Sequence, residues 1–210
     1  SSTLWITIDG DTKEVAIGAP GRHIAENALA ALGVVKIVGA DMQQAIGALA
    51  TLQPEKGRGR RHRLMIDHGA FTVIDESYNA NPASMRAAIA VLASAVPTGA
   101  GRRIAVLGDM LEMGDYAERV HSDLAGPLLA AGIEHVWLAG REMAALKESL
   151  PESVQVVHYE TTEELSEYVL NSVVAGDVLM VKSSLGIGFG KIVAALLDKF
   201  PPFADTQRDF

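Results

Sequence analysis

The hydrophobic pattern changes character along the chain. At the start, apolar and polar positions alternate: residues 4–8 and 14–17 flank Asp9-Gly10-Asp11, a spacing that predicts a β-hairpin. A period near 3.6 follows over 21–32, where Ile24, Ala28, Ala31 and Leu32 fall on one helical face. A second helix is predicted over 41–52, with Asp41 in its first turn and Pro54 as its stop. Segments 63–66 and 71–74, joined by Asp67-His68-Gly69-Ala70, predict another hairpin, and 82–95 predicts a helix with Asn81 as N-cap and Pro82 in the first turn.

Beyond residue 101 a different rhythm sets in. Short β-branched runs at 104–107, 135–138, 154–157 and 178–181 alternate with helical patterns near 116–131, 141–149, 162–172 and 188–199. Strands alternating with helices predict a parallel sheet flanked by helices, a Rossmann-like α/β domain. Pro97-Thr98-Gly99-Ala100-Gly101 is the expected linker, so one domain is predicted over 1–98 and a second over 99–210. The chain opens inside a strand without a lead-in, as expected of a piece of something longer.

Charge refines this division. Residues 1–68 hold eight cations and seven anions, while the rest hold ten and nineteen, for a net charge of −8 over 210 residues. That balance argues against a nucleic-acid or anionic-lipid surface. No run of 18 apolar residues is present, so no membrane insertion is expected, and there is no cysteine to supply a disulfide, a thiolate ligand or a nucleophile. A reducing, cytoplasmic setting fits that composition.

Candidate chemistry concentrates where strands give way to helices, since parallel sheets bind ligands at their carboxyl ends. Gly108-Asp109-Met110-Leu111-Glu112-Met113-Gly114 is an acidic loop bounded by glycines, either a solvated cap for the next helix or a loop facing a ligand with His121 on that helix beside it; on the second reading Asp109, Glu112 and His121 are candidate substrate contacts. Lys182-Ser183-Ser184 precedes a helix start, where free N–H groups and the helix dipole favour an anion. The glycines after it match neither a Walker A loop, because Leu185 and Ile192 stand at its Gly and Ser/Thr positions, nor a dinucleotide fingerprint, because Lys191 replaces the third glycine.

Upstream, Lys56-Gly57-Arg58-Gly59-Arg60-Arg61-His62-Arg63 packs five cations into eight residues, either a solvated face or a polyphosphate cradle with Arg58 at its centre. Asp75-Glu76-Ser77-Tyr78-Asn79-Ala80-Asn81-Pro82 crowds carboxylates and amides into a turn, either to hold a sugar and a peptide or to cap the next helix. His23 and Asn27 lie four apart on one helix face, and the histidine spacings indicate no metal site.

Taken in order, Gly21-Arg22-His23 with Asn27, Lys56-Gly57-Arg58, the 75–82 string with Ser84-Met85, and Leu107-Gly108-Asp109-Met110-Leu111-Glu112-Met113-Gly114 with His121 resemble the Mur ligases of peptidoglycan synthesis. The likeness is greatest to the member that joins D-Ala-D-Ala to UDP-MurNAc-tripeptide. The resemblance implies an ATP- and Mg²⁺-dependent amide ligase working through an acyl phosphate. It also implies that 1–98 is the end of a central ATPase domain and 99–210 the C-terminal Rossmann-like domain.

By the same resemblance Asn27 contacts adenine, Arg58 the phosphates, and Asp75 or Glu76 the ribose. Tyr78, Asn79 and Asn81 face the muramoyl peptide, and Lys182 and Ser184 come from the closing domain, with Arg58 and Lys182 as the catalytic cations. Two departures stand out: Ile24 follows the helix histidine where the family has Asn, and Leu185 leaves no bearer for the arginine of the family's Lys-Gly-Ser-Arg loop. The phosphate loop and magnesium ligands are absent from these residues, so they are expected upstream and the chain alone is expected not to turn over ATP. The expected partners are the tripeptide precursor and D-Ala-D-Ala, with the enzyme a monomer. Rival readings are a folylpolyglutamate synthase-like ligase and a non-catalytic nucleotide-binding module.

Overall fold

The computed structural model describes residues 2–8, 10–19, 22–52, 56–67 and 69–203. Asp9, Gly21, Pro54, His68, the side chain of His23 and the tail 204–210 lie outside the described residues. The chain divides into two compact units, Ser1–Glu55 and Lys56–Phe210.

The first unit pairs β1 (Ser2–Ile8) with β2 (Asp11–Ile17) as the expected antiparallel hairpin, followed by α1 (Arg22–Ile37) and α2 (Met42–Ala50). Helix α1 runs five residues past its predicted end, because no Gly-Pro break interrupts 33–37 and Lys36 sits favourably in the last turn. Asp41 lies just before α2 rather than within it. Its carboxylate accepts the Gln43 and Gln44 N–H groups at 2.8 and 3.0 Å, satisfying two donors that lack helical partners. Ile6, Val15 and Leu32 form the small core, with Leu4, Ile46 and Leu49 packed against it.

In the second unit, β3 (Arg60–Ile66) and β4 (Gly69–Glu76) form a hairpin, and α3 (Pro82–Ala93) follows. Next come β5 (Arg103–Gly108), α4 (Ala117–Ser122), α5 (Ala125–Ala130), β6 (His135–Ala139) and α6 (Met143–Ser149). The unit closes with β7 (Gln155–Tyr159), α7 (Thr162–Ser172), β8 (Val178–Lys182) and α8 (Gly190–Lys199).

All six strands belong to one sheet of order β3-β4-β8-β5-β6-β7, parallel apart from the β3–β4 pair. The predicted α/β class therefore holds, but the expected boundary at 98/99 falls inside this unit. β8 lies between β4 and β5 and hydrogen-bonds to both, so the second hairpin and the α/β alternation share one sheet. The linker candidate is likewise packed: the Thr98 N–H donates to the Gly176 carbonyl at 3.2 Å, and Gly101 abuts Gly176 so closely that a side chain has no room. A glycine- and proline-rich string marks a tight crossing as readily as a tether.

Alternation along the strands feeds two cores. Ala105 and Leu107 face α3, α5 and α6 through Met85, Ile89, Leu128 and Leu146, whereas Ile104 and Val106 face α7 and α8 through Leu165, Ile192 and Leu196. The single helix expected over 116–131 is broken into a short 3₁₀ turn, α4 and α5. Pro127 has no N–H and its ring obstructs the carbonyl one turn back, so the chain turns at 123–124 before α5.

Asp177 anchors the amino end of β8. Buried, it accepts the Arg102 N–H, Nε–H and Nη2–H at 2.8, 3.1 and 2.7 Å and the Val174 N–H at 3.0 Å. Asp177→Ala strips all four donors of their acceptor and is expected to destabilise the unit by about 3 kcal/mol, measured as a lower urea midpoint with an unchanged slope.

Candidate functional site

α3 leaves β4 toward one face and α8 leaves β8 toward the other, so the loops at the carboxyl ends of β4, β8 and β5 lie side by side where successive helices part to opposite faces. This is the switch point where open α/β sheets hold ligands. The antiparallel β3 begins at the same edge, since Arg60 pairs with Asp75, and so the basic loop that precedes it joins the three others.

Two glycines shape that loop. Gly57 and Gly59 adopt φ of +77° and +85°, a region L side chains rarely occupy, and a Cβ at Gly57 would fall 2.8 Å from Tyr78 Cβ. The backbone thereby passes close over the β4–α3 turn, and the Arg58 guanidinium lies 4.3 Å from the centre of the Tyr78 ring, a cation–π stack. The basic stretch and the polar turn thus pack against each other at the carboxyl edge of the sheet.

The acids of the turn divide. Asp75 is buried, and both of its oxygens accept hydrogen bonds from within the fold. Glu76 keeps one-fifth of its side chain exposed and pairs with Lys182 across 3.6 Å. Of the two ribose candidates, only Glu76 presents a carboxylate to solvent.

Lys182 is buried at the end of β8, and its Nζ donates to the Asn79 carbonyl at 2.8 Å. Burial lowers the affinity of this amine for its proton below that of an ordinary lysine and the Arg58 charge lowers it further, while Glu76 raises it. The adjoining Ser184 joins the neighbouring loops. Its Oγ accepts the Leu111 N–H at 2.9 Å and donates to the Ala80 carbonyl at 3.4 Å, and its own N–H donates to the Asp109 carbonyl at 3.1 Å. Residues 182 and 184 therefore bind the loops after β4 and β5 to β8.

Not every expected contact is free for a ligand. His121 is fully buried: its Nε2 accepts the Met110 N–H at 2.8 Å, which leaves Nδ1 to donate to the Ala117 carbonyl at 2.6 Å. Neither nitrogen is left for a substrate, so His121 holds the acidic loop in place instead of touching a ligand. Asn81 caps α3, accepting the Ser84 N–H at 2.8 Å while its own N–H donates to Ser84 Oγ at 3.0 Å; for this residue the capping alternative prevails.

Asp109 is buried too, accepting the Met143 N–H at 3.0 Å through its Oδ1. Glu112 is exposed and held at φ +65°. Tyr78 and Asn79 are exposed, and Asn79 Oδ1 accepts the Ala80 N–H at 2.8 Å. Asn27 is exposed on α1 in the first unit. The described residues contain no group of three or more His, Asp or Glu placed to hold a metal ion, so no described cluster fits magnesium.

The model of the Mur ligase glutamate-ligase domain matches residues 59–185. The chain belongs to the Mur ligase family. The UDP-N-acetylmuramoyl-tripeptide--D-alanyl-D-alanine ligase of Bacillus subtilis is 31% identical over 195 residues, covering 91% of this chain and 42% of that protein. Crystal structure II of MurF from Acinetobacter baumannii superposes with a TM-score of 0.78 at 25% identity, covering 94% of this chain and 42% of that one. MurF ligase from Thermotoga maritima in complex with ADP shares the fold at a TM-score of 0.69 and 21% identity, covering 90% of this chain and 42% of that one. The chain spans about two-fifths of the length of the curated relatives it matches. Among the described residues no helix is long and apolar enough to cross a membrane.

In this Mur ligase domain the sequence signals pointed to the loops at the carboxyl edge of the sheet but missed Ser77, whose hydroxyl is buried against Asp75. They also missed the amino end of α6 as the partner of Asp109. The two glycines around Arg58 were the available clue to the first, because a basic loop that only faces solvent has no need of left-handed backbone.

Burial holds the Asp109 carboxyl above the usual carboxylate range, against the opposing pull of the Glu142 and Met143 N–H groups. A carboxyl raised in this way favours folding only below its unfolded pKa of about 4, and that contribution disappears as pH climbs through the folded value. Relative to Asp109→Asn, the native chain is therefore expected to lose stability as pH rises above about 4. Thermal unfolding of both chains as pH is raised measures the difference; parallel curves would exclude the effect.

Proposed function

We propose that the chain is the nucleotide-closing part of a ligase that joins D-Ala-D-Ala to UDP-MurNAc-tripeptide, with ATP as the phosphoryl donor. The observation carrying this reading is the clustering of Arg58, Glu76 and Lys182 at the carboxyl edge of the sheet, in a chain similar to relatives bearing that name. The ADP held by the Thermotoga maritima protein supports a nucleotide at this fold.

In this proposal Arg58 binds the ATP phosphates, for which a guanidinium offers paired donors. Glu76 accepts the ribose hydroxyls. The first unit is the end of the central ATPase domain. Tyr78, Asn79 and Glu112 face the muramoyl peptide, while Lys182 acts by fixing the Asn79 carbonyl and Glu76 rather than by reaching the transferred group. Asn81, Asp109, His121 and Ser184 act by holding the loops. Magnesium is assigned to no residue here.

The likeness to the D-alanyl-D-alanine ligases supports an acyl phosphate chemistry. The tripeptide carboxylate attacks the γ-phosphorus and the bond to ADP breaks. The amine of D-Ala-D-Ala then attacks the acyl carbon, forming the amide C–N bond and expelling phosphate. A closed site keeps water from the acyl phosphate. The setting is the cytoplasm, and the enzyme acts as a monomer.

Arg58→Ala in the parent enzyme is expected to lower kcat/KM for ATP by about a hundredfold, as for the loss of one charge-assisted phosphate contact. ADP release with UDP-MurNAc-tripeptide and D-Ala-D-Ala measures it, and unchanged kinetics would remove Arg58 from the site. Turnover of a folate substrate in place of the tripeptide would favour the other ligase class. The 210-residue chain alone is expected to release no ADP in the same assay.

A further inference from the structure

The buried carboxylate of Asp75 is the one acid of the turn that the reaction above does not use. Its Oδ2 accepts the Gly57 N–H at 2.9 Å, from 18 positions upstream, and its Oδ1 accepts the Ser77 N–H at 3.2 Å and the Ser77 hydroxyl at 2.6 Å. Two backbone bonds run alongside: the Gly59 N–H donates to the Asp75 carbonyl at 2.8 Å, and the Tyr78 N–H donates to the Gly57 carbonyl at 3.1 Å. Asp75 therefore sits between the arm that carries Arg58 and the turn that carries Tyr78, fastened to both.

We infer that Asp75 is a positioning residue: it fixes the Gly57–Gly59 arm so that the Arg58 guanidinium lies on the Tyr78 ring, aimed in advance at a polyphosphate. The phosphate in that statement rests on the nucleotide reading above; the positioning of Arg58 does not. The side-chain chemistry makes Asp75 hard to replace. All three groups that surround its oxygens are donors, and an ionised carboxylate is the acceptor-only side chain that suits them. An asparagine must turn its NH₂ either toward the Gly57 N–H or toward the Ser77 N–H, so one backbone donor meets another donor whichever way the amide lies.

The test uses the 210-residue chain with Asp75→Asn and Ser77→Ala, the second of which removes a hydroxyl but leaves the bond to Gly57 intact. In the native chain the Arg58 guanidinium protons are expected to resonate upfield, under the Tyr78 ring current. Asp75→Asn is expected to abolish that shift and Ser77→Ala to retain it, with cooperative unfolding preserved in both. Persistence of the shift in Asp75→Asn, or equal loss in both variants, overturns the inference.

A measurement on the native chain stands apart from any folding defect in the variants. The Gly57 amide is expected to exchange with solvent as slowly as the β4 amides, and exchange at the rate of an exposed loop overturns the inference as well. Titration with ATP separates the two readings. Asp75→Asn is expected to weaken ATP binding about tenfold, as for one lost charge-assisted contact. If the Arg58 shift is lost while Arg58→Ala and the native chain bind ATP alike, the nucleotide reading fails and the positioning role stands.

Discussion

A lysine ammonium buried at the end of the central strand organises this unit. Lys182 leaves β8 with almost no contact with solvent, and a charge in that position requires partners. It finds the Glu76 carboxylate at the end of β4 and the Asn79 carbonyl on the loop that follows. Two positions on, Ser184 bonds in both directions, to Ala80 on one side and Leu111 on the other. Because β8 was inserted between two strands that precede it in the chain, its loop is the one segment able to hold both neighbours. The loop cluster is thus fastened by the element that completes it last in the sequence.

Close backbone approach is the second constraint. The ring of Phe189, fully buried, lies against Gly108, where a Cβ would meet it at 2.6 Å. Gly57 makes the same allowance for Tyr78. In each case an aromatic residue packs where only glycine leaves space, and the glycine belongs to a different strand or loop. Much of the polar chemistry beside these contacts is internal. His121 and Asp75 bond wholly within the fold, and the groups left exposed are those whose neighbours they steady. A rigid surround of this kind holds donors in position before a ligand arrives, which is where most electrostatic advantage in phosphoryl and acyl transfer originates.

Local signals in the chain were strong for single elements. The Asn81 cap, the α7 helix over 162–172 and the alternation that separates Ile104 and Val106 from Ala105 and Leu107 all depend on residues a few positions apart, so their pattern shows them. The site was legible in outline for the same reason: strand ends followed by polar, glycine-bearing strings lie where ligands bind. The family resemblance ran through the same strings.

Long-range placement was a different matter. By itself the sequence determined the α/β class, the order of elements and the concentration of polar residues at strand ends, because each follows from periodicity and turn chemistry within a short window. Only the tertiary structure decided that the β3–β4 hairpin joins the parallel sheet, that Asp75 turns inward while Glu76 stays partly exposed, and that His121 is fully engaged. The first rests on β4 pairing with a strand more than a hundred positions further on, the second on a bond across 18 positions, and the third on a side chain folding back 11 positions to a loop whose need for it no periodicity reveals.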